Sequence, residues 1–238
     1  TGVFLVNWNL PLWIGVIGGV LFGAFIGLVN GLVVAYLGIP PFIATLAMML
    51  VTIGASLVIS GTEPIRFTTV EGFSALANKS LVPGARIPLS VVLLALMAVI
   101  AGIVLAKTKL GRYAYAIGSN EEATRLSGVN VKNWKVVVYT FSGFFVGLAG
   151  VLAAARLNSA QPTGGQGLEL EAIAAVVIGG TSLAGGRGTI TGTVIGILIM
   201  SVLTNGLRIM SIPQEWQSIA VGVVILVAVY IDIVRKRP

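Results

Sequence analysis

The residues best placed to do chemistry fall in one polar stretch, KTKLGRYAYAIGSNEEATRLSGVNVKNWK, from Lys107 to Lys135. Ser119, followed three positions later by Glu122, has the spacing of a capping box. In that motif the serine hydroxyl accepts from an orphan amide of the first helical turn and the glutamate reaches back to the cap. Glu121 and Glu122 then sit at the positive end of the helix dipole, and Gly128 can take the left-handed conformation that closes a helix. The pattern predicts a two-turn helix, Asn120 to Ser127, lying outside any membrane. On it Ala123, Leu126 and Ser127 are neighbours at three and four positions, a small apolar face beside Glu121, Glu122 and Arg125. Such a knob suits docking into a groove on a cytosolic partner; the alternative is a solvated turn with a tidy helix.

Other chemistries find little support. The chain of 238 residues has neither cysteine nor histidine, which removes disulfides, Cys/His metal sites and nucleophile dyads built on those residues. Catalysis by this chain is therefore not expected. The glycine-rich run GGTSLAGGRGT, Gly179 to Thr189, lacks the GxxxxGK[ST] spacing and any lysine for phosphates; it is expected to form a tight inner turn with Arg187 at the lipid interface. The formal charge of +7 comes from basic residues scattered singly between apolar runs, a matter of membrane topology rather than nucleic-acid binding.

The elements that must position the polar stretch are membrane helices. Apolar residues make up 56% of the chain and charged residues 10%, against roughly 25% charged in a soluble domain. Glycines lie inside apolar runs, as in GVIGGVLFGAFIGLVNG from Gly15 to Gly31, where they let membrane helices approach closely. A hydrocarbon core of about 30 Å takes roughly 20 apolar residues per crossing. The spans predicted are Leu12–Tyr36, Pro41–Ser60, Pro88–Ala106, Lys135–Ala155, Thr189–Leu207 and Gln217–Val234, with a short seventh, Leu170–Ala184. The fold class is all-α, a polytopic transmembrane bundle forming one domain over residues 1–238, with residues 107–134 as a cytoplasmic loop. The chain starts at Thr1 with no recognisable signal peptide, and helices preceding Leu12 are expected to be missing.

Lys107, Lys109, Arg112, Arg125, Lys132 and Lys135 cluster in the polar loop, and Arg235, Lys236 and Arg237 close the chain. Positive residues stay on the cytoplasmic side. This places the loop and tail inside and residues 61–86 and 157–169 outside, with Arg66, Lys79, Arg86, Arg156 and Arg208 against the trend. Parity then requires Leu170–Ala184 to cross as well, sheltered from lipid because irregular backbone is tolerated only there.

The string LGRYAYAIGSNEEATRLSGVNV resembles the cytoplasmic signature of bacterial ABC-importer permeases for ribose, xylose, galactose and related monosaccharides. The resemblance continues through PPFIATLAMM, Pro40 to Met49, and through the block from Gly147 to Gly196, and covers essentially the whole chain. It implies that the short helix is a coupling helix docking on an ATP-hydrolysing subunit. Glu122, Ala123 and Gly128 would be at the centre of the contact, Ser119 at its cap, and Glu121, Arg125 and Leu126 beside them. It also implies that no cofactor is bound by this chain, ATP and Mg residing on the partner ATPase. The other implied partners are an extracytoplasmic sugar-binding protein and a second permease copy or paralogue, in the lipid of the bacterial inner membrane, with no nucleic acid. A branched-chain amino-acid permease is the nearest alternative. An ion-coupled secondary transporter is disfavoured by the lack of mid-span acidic and basic residues, and a channel would leave the capped helix without a use.

A neutral polyhydroxylated solute calls for hydroxyl and amide groups along its route. Candidates are Asn30, Thr45, Thr52 and Asn205 in the spans, with Gln161, Thr181 and Ser182 in the segment entering and leaving the short crossing, where interrupted helices place backbone beside a substrate. Small polar residues equally serve helix packing at about 0.6 kcal/mol each. Arg156, Glu169 and Glu171, at the outer mouth, are candidates for docking the binding protein or simply mark the membrane boundary.

Overall fold

The computed structural model describes residues 1–68, 70–80 and 87–235. Arg86, Lys236 and Arg237, part of the charge asymmetry, lie outside the described residues. The helices in chain order are α1 (Leu12–Tyr36), α2 (Pro41–Ser60), α3 (Ala75–Asn78), α4 (Leu89–Lys107), α5 (Lys109–Ser119), α6 (Glu121–Leu126), α7 (Val131–Leu157), α8 (Leu168–Ile178), α9 (Ile190–Ile209) and α10 (Gln214–Arg235), preceded by a π-helical turn, Val3–Asn7. Two short strands, β1 (Ile65–Arg66) and β2 (Ser159–Ala160), form an antiparallel pair. The fold is thus an all-α membrane bundle. Of the described helices, α1, α2, α4, α7 and α9 are long and apolar enough to cross a membrane, and α10 carries a shorter apolar stretch, Gln214–Tyr230.

The expected ends of α1 and α2 match the observed ones because prolines mark them. Pro11 and Pro40 are the N-caps, positions where a missing N–H costs nothing. Gly61 closes α2 at φ 65°. Elsewhere the ends move: α7 starts at Val131 rather than Lys135, since Asn130 caps it by accepting from the Asn133 N–H at 3.2 Å.

The chain divides into two compact units. The first comprises Thr1–Met97 and Val129–Gly164. It is built on α1 against α7, and the contact is backbone to backbone. Gly15, Gly19, Gly23, Gly27 and Gly31 recur every fourth residue along one line of α1. A Cβ on Gly23 would lie 2.5 Å from Gly147 Cα, and one on Gly31 would lie 2.8 Å from Val136 Cα. Between them, a Cβ on Gly27 would run into the Tyr139 carbonyl. Without lipid-excluding side chains between them, the two helices gain dispersion contact along their whole length. Where α1 ends and α7 begins, the Tyr36 hydroxyl donates to Asn133 Oδ1 at 2.6 Å, and Lys132 lies over the Tyr36 ring.

At the opposite end, residues 61–68 and 70–80 fold back onto α7. Phe67 and Phe73 are fully buried with ring centroids 4.2 Å apart, and they pack with Leu5, Val20, Ala77, Val151 and Ala155. β1 and β2 hold the two outer loops together, Ile65 opposite Ala160 and Arg66 opposite Ser159. By contrast, much of the outward surface of α1 and α2 is apolar, with Phe22, Phe25, Phe42, Leu50 and Val58 exposed, as a lipid-facing surface requires.

The second unit comprises Ala98–Gly128 and Gly165–Pro238. Here α8 and α9 form a close antiparallel pair: a Cβ on Gly196 would overlap the Ala175 carbonyl, and one on Gly192 would overlap that of Gly179. Ala174, Ala175 and Met200 are buried there, against Leu203 and with Val221, Val224 and Ile225 of α10 packed alongside. The short seventh span is corrected in extent. α8 has 11 helical residues, about 16 Å at 1.5 Å per residue, and the rest of Leu170–Ala184 is a glycine-rich turn. Helix stops at Ile178, just before Gly180, which adopts positive φ, and Gly185 and Gly186 further on do the same.

Candidate functional site

α5 and α6 meet almost at a corner. Lys109–Ser119 forms a helix that the sequence reading left as loop. Its signal was present in Leu110, Tyr113, Ala114 and Ile117, which recur at helical spacing and are half-buried, while Lys109 and Arg112 are exposed. The helix breaks at Asn120, which is extended at φ −155° and ψ 101°.

This break corrects the capping assignment. Ser119 is the last residue of α5, still helical, and so cannot adopt the extended backbone a cap needs. Asn120 caps α6 instead, its Oδ1 accepting from the Ala123 N–H at 2.9 Å. The helix accordingly runs Glu121–Leu126, shorter at each end than the expected Asn120–Ser127. Gly128 does take the left-handed conformation, at φ 86°, and its N–H donates to the Arg125 carbonyl at 3.0 Å.

Thr124, which the sequence reading passed over, is the buried residue of α6 at 7% exposure. Its hydroxyl donates to the Asn120 carbonyl at 2.8 Å. With that side turned in, Glu121, Glu122, Ala123, Arg125, Leu126 and Gly128 are all exposed. Leu126 stands out at 78%, an apolar side chain in a setting of charge. Arg125 Nη2 and Glu122 Oε1 form an ion pair at 2.7 Å, one helical turn apart and well exposed. Such a pair contributes only about 0.3–0.5 kcal/mol. It aligns the acidic first turn and the basic last turn with the helix dipole. The structure thus places Glu121, Glu122, Ala123, Arg125 and Leu126 on one short exposed helix, with Ser119 at the end of α5 and Gly128 just beyond α6.

The polar candidates within the spans are spread out. Thr45 and Thr52 donate to carbonyls of their own helix, Pro41 and Met48 among them. Asn205 is exposed on α9 and Gln161 in the loop after β2. Asn30 differs, because its Oδ1 is buried with no hydrogen-bond partner among the described residues. Leaving such an acceptor unpaired costs roughly 1–3 kcal/mol. Thr181 and Ser182 lie in the turn after α8, where the Thr181 N–H donates to Val176 and the Ser182 N–H to Arg187, both to carbonyls. The same turn lies against the end of α5, the Tyr115 hydroxyl donating to the Gly188 carbonyl at 2.8 Å.

Arg156 is exposed near the end of α7 in the first unit, whereas Glu169 and Glu171 belong to the first turn of α8 in the second. Glu169 accepts from the Gly167 N–H at 2.9 Å, so it caps its own helix.

Comparison with known proteins decides the family. The model of the family described as the branched-chain amino acid transport system permease component matches residues 1–229. The chain belongs to this permease family. The ribose import permease of Escherichia coli strain K12 is 44% identical over 228 residues, covering 96% of this chain and 71% of that protein. The fructose import permease of Rhizobium meliloti is 37% identical over 235 residues, covering 97% and 65%. The xylose transport system permease of Haemophilus influenzae is 34% identical over 289 residues, covering 98% and 77%. No solved structure matches. As a member of the permease family with five described helices long and apolar enough to span a bilayer, the chain is a multi-pass inner-membrane protein.

Proposed function

We propose that this chain is the membrane-spanning permease subunit of an ATP-binding-cassette importer that carries a monosaccharide, a ribose-like pentose or a hexose, into the cell by alternating access. The observation that carries the reading is similarity along nearly the entire chain to permeases named for ribose, fructose and xylose. It favours a sugar over a branched-chain amino acid as the cargo.

In this reading α6 docks on a cytosolic ATPase, with Leu126 and Ala123 entering a groove and Glu122 and Arg125 facing charges at its rim. ATP and Mg are bound and used on that partner. Two copies of the permease, or one copy and a paralogue, flank the route, and a sugar-binding protein delivers the solute from outside, touching Arg156, Glu169 and Glu171. Asn30 supplies an acceptor for a solute hydroxyl or a water travelling with it. Thr45, Thr52, Gln161, Thr181, Ser182 and Asn205 line the route or its ends.

The test is reconstitution of the permease with its ATPase and binding protein in proteoliposomes, following labelled ribose, xylose, fructose, galactose and leucine. ATP-dependent accumulation of one of the sugars is expected. Accumulation driven by an ion gradient with the permease alone, or ATP-dependent uptake of leucine in preference to every sugar, would overturn the proposal.

A further inference from the structure

The glycine-rich turn from Gly179 to Thr189 has no place in docking or in phosphate binding, yet its contacts are unusually close. A Cβ on Gly118, near the end of α5, would lie 2.6 Å from the Gly186 amide nitrogen. One on Gly185 would lie 2.7 Å from the Gly118 carbonyl oxygen, and one on Gly186 would lie 2.8 Å from Ser119 Cα. Gly185 and Gly186 have φ of 88° and 73°, conformations that glycine adopts without strain. Two backbones are therefore in direct contact, with no side chain between them to absorb movement. One turn earlier on α5, the Tyr115 hydroxyl donates to the Gly188 carbonyl at 2.8 Å. The turn is also held from within, the Gly185 N–H donating to the Ser182 carbonyl and the Ser182 N–H to the Arg187 carbonyl, each at 3.0 Å.

We infer that Tyr115, with Gly118 and Gly186, is the joint through which movement of α6 is passed to the α8–α9 pair. α6 follows α5 with only Asn120 between them, so a load on α6 rotates or pulls the end of α5. Because close-packed contacts transmit displacement rather than absorb it, the turn must follow. The turn is continuous with both α8 and α9, which are themselves locked together at Gly179–Gly192 and Ala175–Gly196. Tyr115 acts as a positioning residue: it touches neither solute nor ATPase but keeps the turn seated on α5. The inference rests on α6 being the ATPase-docking helix.

The test uses the full chain in lipid nanodiscs with its ATPase, comparing wild type and Tyr115→Phe, which removes the hydroxyl and keeps the ring. Hydrogen–deuterium exchange is read in residues 121–126 and 182–188 with and without the ATPase, and sugar moved per ATP hydrolysed is measured in proteoliposomes. In wild type both segments change on docking. In Tyr115→Phe the 121–126 response is retained, the 182–188 response is weakened, and sugar per ATP falls about two- to tenfold, the span a single hydrogen bond's net contribution allows. A merely structural role would lower transport and ATPase activity together and leave their ratio unchanged. Gly118→Ala, checked for folding by size-exclusion profile, should give the same dissociation of the two segments. If the ATPase leaves 121–126 unchanged in wild type, both the docking assignment and the joint are overturned. If it protects 121–126 while 182–188 does not respond, or if Tyr115→Phe keeps the wild-type ratio, only the joint is overturned.

Discussion

Substituting Gly27 by alanine tests whether α1 and α7 owe their association to backbone contact. The new Cβ would run into the Tyr139 carbonyl and lie 2.9 Å from Gly143 Cα. Carbon atoms in good contact are about 3.5–4.0 Å apart, so the helices must part by roughly 1 Å. Neither neighbour is a side chain that could rotate away. A gap of that size forfeits a quarter to a half of the dispersion well for each contact it opens. Overpacking of this kind costs about 1–3 kcal/mol, and the rigid neighbours place Gly27 at the upper end. Gly54 of α2 is the control, since a Cβ there meets nothing within 4 Å. Both changes gain the same helix propensity, up to about 1 kcal/mol, so the difference between the variants isolates the clash. Sodium dodecyl sulfate titration in micelles, followed by tryptophan fluorescence, should show Gly27→Ala about 2–3 kcal/mol less stable than Gly54→Ala. Adding Gly143→Ala should cost less in the Gly27→Ala background than in wild type, because the helices are already apart. Equal stability of the two single variants would refute the backbone-contact account.

Asn120→Ala removes the side-chain cap of α6 and should destabilise that helix by about 1 kcal/mol, seen as faster amide exchange at Ala123, whereas Ser119→Ala should leave that exchange unchanged. Glu122→Gln breaks an exposed ion pair, so global stability should move by less than about 0.5 kcal/mol, while stimulation of ATP hydrolysis by the partner falls clearly; unchanged stimulation would remove Glu122 from the docking surface. Asn158 closes α7 in the left-handed conformation at φ 49°, so Asn158→Gly should be neutral or slightly stabilising and Asn158→Val should cost roughly 1–2 kcal/mol, measured by the same detergent titration.

What was legible in the sequence depended on how local its cause was. α1 and α2 were readable to their ends because Pro11, Pro40 and Gly61 are local punctuation. α6 was readable within one residue for the same reason, the difference being that Ser119 and Asn120 are both good caps and only the run of α5 decides between them. α5 itself was hidden because Lys109 and Arg112 make its stretch look like loop until the spacing of Leu110, Tyr113, Ala114 and Ile117 is read. The outer cap could not be read. Phe67 and Phe73 find their partners on α7 and near the chain start, and β1 pairs with a strand more than 90 residues away. Nothing local announces such contacts. Thr124 was passed over because a small polar residue between charges signals nothing until its burial is known.

The turn after the short α8 shows how backbone satisfies backbone where a helix ends early. Buried backbone polar groups need partners, and an 11-residue helix leaves the backbone of the turn after it to find its own. Here the turn finds them internally. The Gly180 N–H donates to the Val177 carbonyl, Thr181 to Val176, Ser182 to Arg187 and Gly185 to Ser182, and the Gly188 carbonyl accepts from Tyr115. The backbone bonds within the turn go with a tight reversal of the chain, and Gly180, Gly185 and Gly186 adopt the positive φ that such reversals use. The glycines of this run, which lacks the spacing of a phosphate loop, are therefore used to let backbone satisfy backbone. The same lack of side chains lets the turn sit directly on α5, so the glycines that let the turn satisfy its own backbone also bring it into contact with the helix that leads into α6.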